Sequence, residues 1–179
     1  MAPELLGVLV TAGPRVGRIV EVEAYCGSED PGSHAYGGPT PRTATMFGPP
    51  GRLYVYFSYG MHWCANVVCG PDREAGAVLL RAAAPVRGID AMRAARPRAK
   101  RDRELTSGPA RLCQAFGIDG TFDGADLVTA DRGVALASDG HLVAPDDMAA
   151  STRIGLSAGA DLPWRWYVPG DPHVSGRPR

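Results

Sequence analysis

The sequence predicts a single α+β domain: short strands and a few short helices arranged around one protruding β-hairpin. Three observations point to it. At 179 residues the chain has the length of one domain and can bury a sizeable core. Its 23 glycines and 16 prolines call for many short elements joined by tight turns. From Arg52 to Cys69, two runs rich in β-branched and aromatic residues flank Ser58-Tyr59-Gly60-Met61, the pattern of a hairpin closed by a glycine turn.

In chain order, Leu5 to Thr11 is an apolar run ended by Gly13-Pro14 and reads as a strand. Val16 to Tyr25 is a second. Strict alternation puts Val20, Val22 and Ala24 on one of its faces and Ile19, Glu21, Glu23 and Tyr25 on the other. Taken alone, Glu21 reads as part of an exposed polar face. Gly27 to Gly51 reads as a long loop. It holds Glu29, Asp30 and His34, but one histidine beside two adjacent acids is a weak signal for a metal, and no metal or other cofactor is expected.

The hairpin follows. Tyr54 and Tyr56 share a face of its first arm, and His62, Cys64 and Asn66 share one of its second. Asn66 interrupts an apolar strand, so its amide must find a partner or a ligand. The tip is unusual. Turn tips carry small polar residues, yet Tyr59 and Met61 stand where nothing in the hairpin can cover them, an apolar wedge on a two-stranded arm.

Gly76 to Ala84 reads as a strand with Leu79 and Arg81 on one face. An arginine among such small residues calls for a buried partner or an anion. Gly88 to Arg96 reads as a helix with Ile89, Met92 and Ala95 as its buried stripe. Ser107 to Gly117 reads as another: Ser107 or Gly108 caps it, Pro109 opens it and Gly117 ends it. Val134 to Ala137, Arg153 to Leu156 and Arg165 to Val168 read as short strands, and Ser175 to Arg179 as a frayed tail.

Composition bounds the function. No apolar run approaches the roughly 18 residues of a membrane helix, and the N-terminus has no secretory pattern, so a cytoplasmic protein without a membrane partner is expected. The cysteines (Cys26, Cys64, Cys69, Cys113) lack C-x-x-C spacing and read as reduced thiols packed as small hydrophobes. Net charge is zero, which excludes binding to nucleic acid by bulk charge alone. The distribution is uneven, however. Arg87 to Arg103 is basic and Glu104 to Asp147 acidic, consistent with a phosphate-tracking patch whose acidic neighbour turns away.

Several stretches together resemble one family. They are Gly17-Arg-Ile-Val-Glu-Val-Glu-Ala-Tyr25 with His34, Leu53-Tyr-Val-Tyr-Phe-Ser-Tyr-Gly-Met61 with Asn66, and Val78-Leu-Leu-Arg-Ala82. Arg103-Glu-Leu-Thr-Ser-Gly-Pro109 and Tyr167-Val-Pro-Gly-Asp-Pro-His-Val-Ser175 complete the set. In this order they are similar to the alkyladenine (3-methyladenine) DNA glycosylases. The resemblance covers nearly the whole chain and implies one catalytic domain over residues 1–179, a mixed α/β fold around a curved antiparallel sheet. It implies a monofunctional, cofactor-free monomer that flips alkylated or deaminated purines out of double-stranded DNA from the minor groove and hydrolyses the N-glycosidic bond. Residue by residue it implies Glu23 as general base and Arg81 as its partner in holding water. Tyr25, His34 and Tyr56 would surround the flipped base, and Asn66 would disfavour guanine. Tyr59, with Met61 beside it, would intercalate. The alternative on the same scaffold is a non-catalytic lesion-binding protein, which would have no use for Glu23.

Overall fold

The computed structural model describes residues 1–71 and 73–176. Among these residues, eight strands form one antiparallel sheet: β1 (Leu9–Ala12), β2 (Arg15–Tyr25), β3 (Leu53–Ser58), β4 (His62–Val68), β5 (Ala77–Arg87), β6 (Val134–Ala137), β7 (Ala149–Ser151) and β8 (Arg165–Tyr167). The main path runs β3-β4-β5-β2-β1-β6. β2 and β5, each of 11 residues, are the spine. β2 changes neighbour along its length. Its first part pairs with β1, while Glu21 to Glu23 pair with β8, which in turn pairs with β7.

At that change of partner the ladder slips twice. Ile19 faces Ala83 and Glu21 faces Ala82, so Val20 is an extra residue in β2. Val22 then faces Leu80, so Arg81 is an extra residue in β5. Bulges bend strands and re-aim side chains, and the sheet curls here. They also reset the alternation. Ile19 leaves the face of the glutamates and packs into the main core with Val22, while Val20 lies outside that cluster. This corrects the strict period-2 assignment.

Among the described residues three α-helices cover the core face: α1 (Ile89–Ala95), α2 (Arg103–Thr106) and α3 (Pro109–Phe116). α3 starts at Pro109 after Gly108 and stops at Gly117, whose φ of +72° is the left-handed helix end that glycine accepts readily. Leu112, Ala115 and Phe116 are its buried stripe, the leucine and phenylalanine each contributing roughly 1.5–3 kcal/mol. A side chain at Gly17 of β2 would meet the Phe116 ring at 2.9 Å, so only glycine lets helix and strand approach this closely. A second, smaller cluster of Ala35, Met46, Tyr54, Val68 and Ala77 lies under the segment between β2 and β3.

Three expectations are corrected. Arg153 to Leu156 is not a strand. The strand lies earlier, at β7, and Gly155 takes a φ of +81° in the loop that follows. Ser175 is not frayed: it is buried and hydrogen-bonded to Glu21. The rest of the expected tail, residues 177–179, lies outside the described residues. Cys26 is exposed rather than packed.

Candidate active site

Two carboxylates lie side by side on β2, and both are fully buried. Glu21 Oε1 accepts from Arg81 Nε at 2.9 Å, from Arg165 Nε at 2.6 Å and from Ser175 Oγ at 2.9 Å. Its Oε2 accepts from the Ser175 N–H at 2.5 Å. The exposed face expected for Glu21 is therefore wrong. Its position opposite β8, beside the bulge, encloses it between two arginines.

Glu23 has fewer donors. Oε1 accepts from the backbone N–H of Ile154 at 2.8 Å, and Oε2 from the Tyr25 hydroxyl at 3.0 Å. Arg81 Nη1 is 3.1 Å from that same Oε2. A carboxylate offers about four lone-pair sites. Among the described residues Glu21 accepts four hydrogen bonds, three of them on Oε1, whereas Glu23 accepts two, one on each oxygen, with the Arg81 guanidinium close to Oε2. Glu21 is thus a structural anchor, and Glu23 retains capacity for a further proton-bearing partner.

The bulge at Arg81 is what lets one guanidinium serve both acids. Burial works against its charge, but Glu23 and Glu21 outweigh burial and hold the charged form above its ordinary value. Tyr25 is pushed well above the usual phenol range, first by burial and then by the neighbouring Glu23. It therefore remains a donor to that carboxylate.

Tyr25 and Arg81 border a cavity of about 410 Å³ whose walls also include Tyr56, Leu79 and the Ile154–Leu156 loop, with His34, Arg42 and Tyr59 among its other lining residues; the two buried carboxylates are not part of that lining. A smaller recess of about 50 Å³, bounded in part by Met46, Tyr54, Tyr56 and Asn66, shares Tyr25, His34, Tyr56 and Leu156 with it. The hairpin register explains this surface. Tyr54 pairs with Asn66 and Tyr56 with Cys64, so one face of both arms points at the cavity. The rings of Tyr54 and Tyr56 stack at 5.6 Å, and His34 stands edge-on to Tyr56 at 4.4 Å. His34 Nδ1 is 3.3 Å from the Tyr54 hydroxyl, and Nε2 lies 3.5 Å from Arg42. Burial first and Arg42 second depress the His34 pKa, favouring the neutral ring. Asn66 is buried and donates to the Tyr54 carbonyl at 3.2 Å.

Tyr59 and Met61 stand at the hairpin tip, 82% and 67% exposed. The Met61 N–H closes the turn on the Ser58 carbonyl, and both Tyr59 (φ +50°) and Gly60 (φ +63°) are left-handed. That is the geometry a tight hairpin demands, but an aromatic residue pays roughly 1–2 kcal/mol to adopt it. Tyr59 contributes to the cavity lining; Met61 does not.

The expected site residues Glu23, Arg81, Tyr25, His34, Tyr56 and Asn66 thus converge, with Tyr59 at the rim. The sequence reading missed the anchoring role of Glu21, and it missed Arg165 and Ser175 behind it. The Glu21–Glu23 alternation was a visible signal for the first; nothing local marks the others. Asp30, a weak metal candidate, is occupied by Arg153, whose Nη1 lies 2.6 Å from its Oδ2.

Known proteins resemble this chain over almost its full length. Residues 1–172 match the family described as methylpurine-DNA glycosylase. A protein of Burkholderia lata bearing the name "Putative 3-methyladenine DNA glycosylase" is 59% identical over 177 residues, 98% of this chain and 85% of its own. Two of the same name, from Streptomyces avermitilis and Cutibacterium acnes, are 48% and 44% identical, each over 98% of this chain and over 84% and 93% of their own.

Proposed function

Because the chain belongs to the methylpurine-DNA glycosylase family, hydrolases that cleave N-glycosyl bonds of alkylated bases in DNA, we propose that it extrudes the damaged purine into the aromatic cavity and hydrolyses it there with Glu23 as general base. The observation that carries this reading is the inequality of the two buried carboxylates. Among the described residues Glu21 accepts four hydrogen bonds and Glu23 only two, one on each oxygen, which makes Glu23 the freer acceptor, with Arg81 Nη1 3.1 Å from its Oε2. Water poised on Glu23 attacks the sugar carbon, its proton passes to the carboxylate, and the N-glycosyl electron pair leaves on the purine. A purine alkylated at N3 or N7 is cationic and departs without an acid, so one carboxylate suffices where glycoside hydrolases use two. Deaminated purines such as hypoxanthine fall within the same proposal, provided the base is protonated as it leaves.

Extrusion costs a few kcal/mol, less for a damaged base. Stacking returns roughly 1–3 kcal/mol per base. Tyr25, Tyr56 and the edge of His34 supply such contacts, with Arg81 positioning the water and Asn66 opposing the exocyclic amino group of guanine. Tyr59 fills the vacated stack from the minor groove, where apolar wedges act, with Met61 beside it. The protein works as a monomer in this scheme. Among the described residues no helix is long and apolar enough to cross a membrane.

The test is a duplex carrying a single hypoxanthine or ethenoadenine, alongside methylated DNA, treated with protein and then alkali. The wild type is expected to cleave and Glu23→Gln not to. Equal cleavage by both would remove Glu23 from its role. Tight lesion binding without release of any base would favour the non-catalytic alternative.

A further inference from the structure

Asp30 and Arg153 form an ion pair whose side chains have no exposed surface. The fork is bidentate, Nη1 to Oδ2 at 2.6 Å and Nη2 to Oδ1 at 2.7 Å. The same guanidinium donates to the Ala24 carbonyl and to the Gly159 carbonyl, both at 2.9 Å. It lies 4.7 Å from the Tyr25 ring centre and 5.2 Å from that of Trp164. Asp30 also accepts the N–H groups of Cys26 and Gly32.

Two glycines make room for the fork. A side chain at Gly32 would meet Arg153 Nη2 at 2.8 Å, and one at Gly159 would meet it at 2.9 Å. Burying such a pair is expensive, and a well-packed apolar pair often stabilises a fold as much or more. Stability alone therefore does not account for it. Its placement does. The next residue, Ile154, gives its N–H to Glu23 Oε1, and the ring under the guanidinium belongs to Tyr25, the donor to Glu23 Oε2.

We propose that the Asp30–Arg153 pair is a positioning device for the hydrolytic carboxylate, locking the Ile154 N–H and the Tyr25 ring that orient the two oxygens of Glu23. The proposal rests on the reading of Glu23 as general base. The clamp also ties the β2–β3 segment, which carries His34, to the Ile154–Leu156 wall, so one pair of residues sets two sides of the cavity. Neither residue touches the reacting atoms.

The experiment compares wild type, Arg153→Lys, Asp30→Asn and the volume-keeping double variant Asp30→Leu/Arg153→Met on methylated duplex DNA, with rates normalised to folded protein and Glu23→Gln run in parallel. Lysine keeps the charge but loses the fork. In the variants that fold, kcat is expected to fall about 10–100-fold, the range for groups that act by orienting a catalytic residue, well beyond any rise in KM from the altered cavity walls. A merely structural pair would lower the folded fraction and leave kcat per folded molecule intact, and that result overturns the proposal. So does a folded double variant with wild-type kcat. If instead Glu23→Gln excises as well as wild type, the fault lies with the reading of Glu23 and the clamp falls with it.

Discussion

Arg81 Nε lies 2.9 Å from Glu21 Oε1, and both side chains are buried. That bond turns the other end of the guanidinium toward Glu23, with Arg165 and Ser175 closing the remaining sides of Glu21. Replacing Glu21 by glutamine leaves two arginines facing a neutral amide whose N–H₂ must oppose another donor. Removing one member of a buried ion pair costs about 3–5 kcal/mol, equivalent to roughly 6–20 °C in melting temperature for a chain of this size. Glu21→Gln is expected to melt well below Glu23→Gln, and thermal denaturation of the pair checks it. Equal losses would mean that the two carboxylates are structurally equivalent.

Much of this arrangement was legible in the sequence, for identifiable reasons. The hairpin announced itself because its β-rich arms and glycine turn are local signals, and α3 because Gly108-Pro109 and Gly117 punctuate it. Glu23, Tyr25 and Arg81 stood out as polar residues in apolar strands. What stayed hidden is non-local. Glu21 looked exposed because alternation cannot report that β8, some 144 residues later in sequence, covers it. The phase of Ile19 failed because a bulge adds a residue without any glycine to mark it. Arg153 to Leu156 has strand-like composition, yet the Ile154 N–H goes to Glu23 rather than to a ladder.

Tyr59 carries left-handed strain with 82% of its surface exposed, so the fold gains little from it. Tyr59→Gly removes the ring and the strain together. Melting temperature is expected to hold or rise slightly, since the relief is about 1 kcal/mol before the entropy glycine adds to the unfolded chain. Affinity for a lesion-bearing duplex is expected to fall about 5- to 150-fold, the loss of one stacking contact of roughly 1–3 kcal/mol. Titration with a labelled duplex measures it. A variant that melts markedly lower would make Tyr59 a packing residue and remove the wedge.

Asn66 is held by the Tyr54 carbonyl at the edge of the small recess, so its amide cannot swing aside to admit a bulkier base. Asn66→Ala gives up that bond at a cost of about 1 kcal/mol and opens space where the exocyclic amino group of guanine would arrive. Release of guanine from undamaged DNA is expected to rise above the wild-type background, measured by chromatography of freed bases. An unchanged background would count against gatekeeping by this residue.

His34 gives the protein a pH signature of known sign. Its folded-state pKa is lowered from the ordinary 6.5 by burial and then by Arg42, so the unfolded chain binds this proton more readily than the folded one. The stability contributed by the neutral ring is present above pH 6.5 and is lost as pH falls through the lowered value. Wild type is therefore expected to lose more melting temperature than His34→Gln when taken from about pH 8 to about pH 5, the difference between the two cancelling every other titrating group. Parallel curves would mean that His34 is protonated in the fold as easily as outside it. In that event a neutral imidazole facing Tyr56 and the extruded base would no longer describe the working cavity.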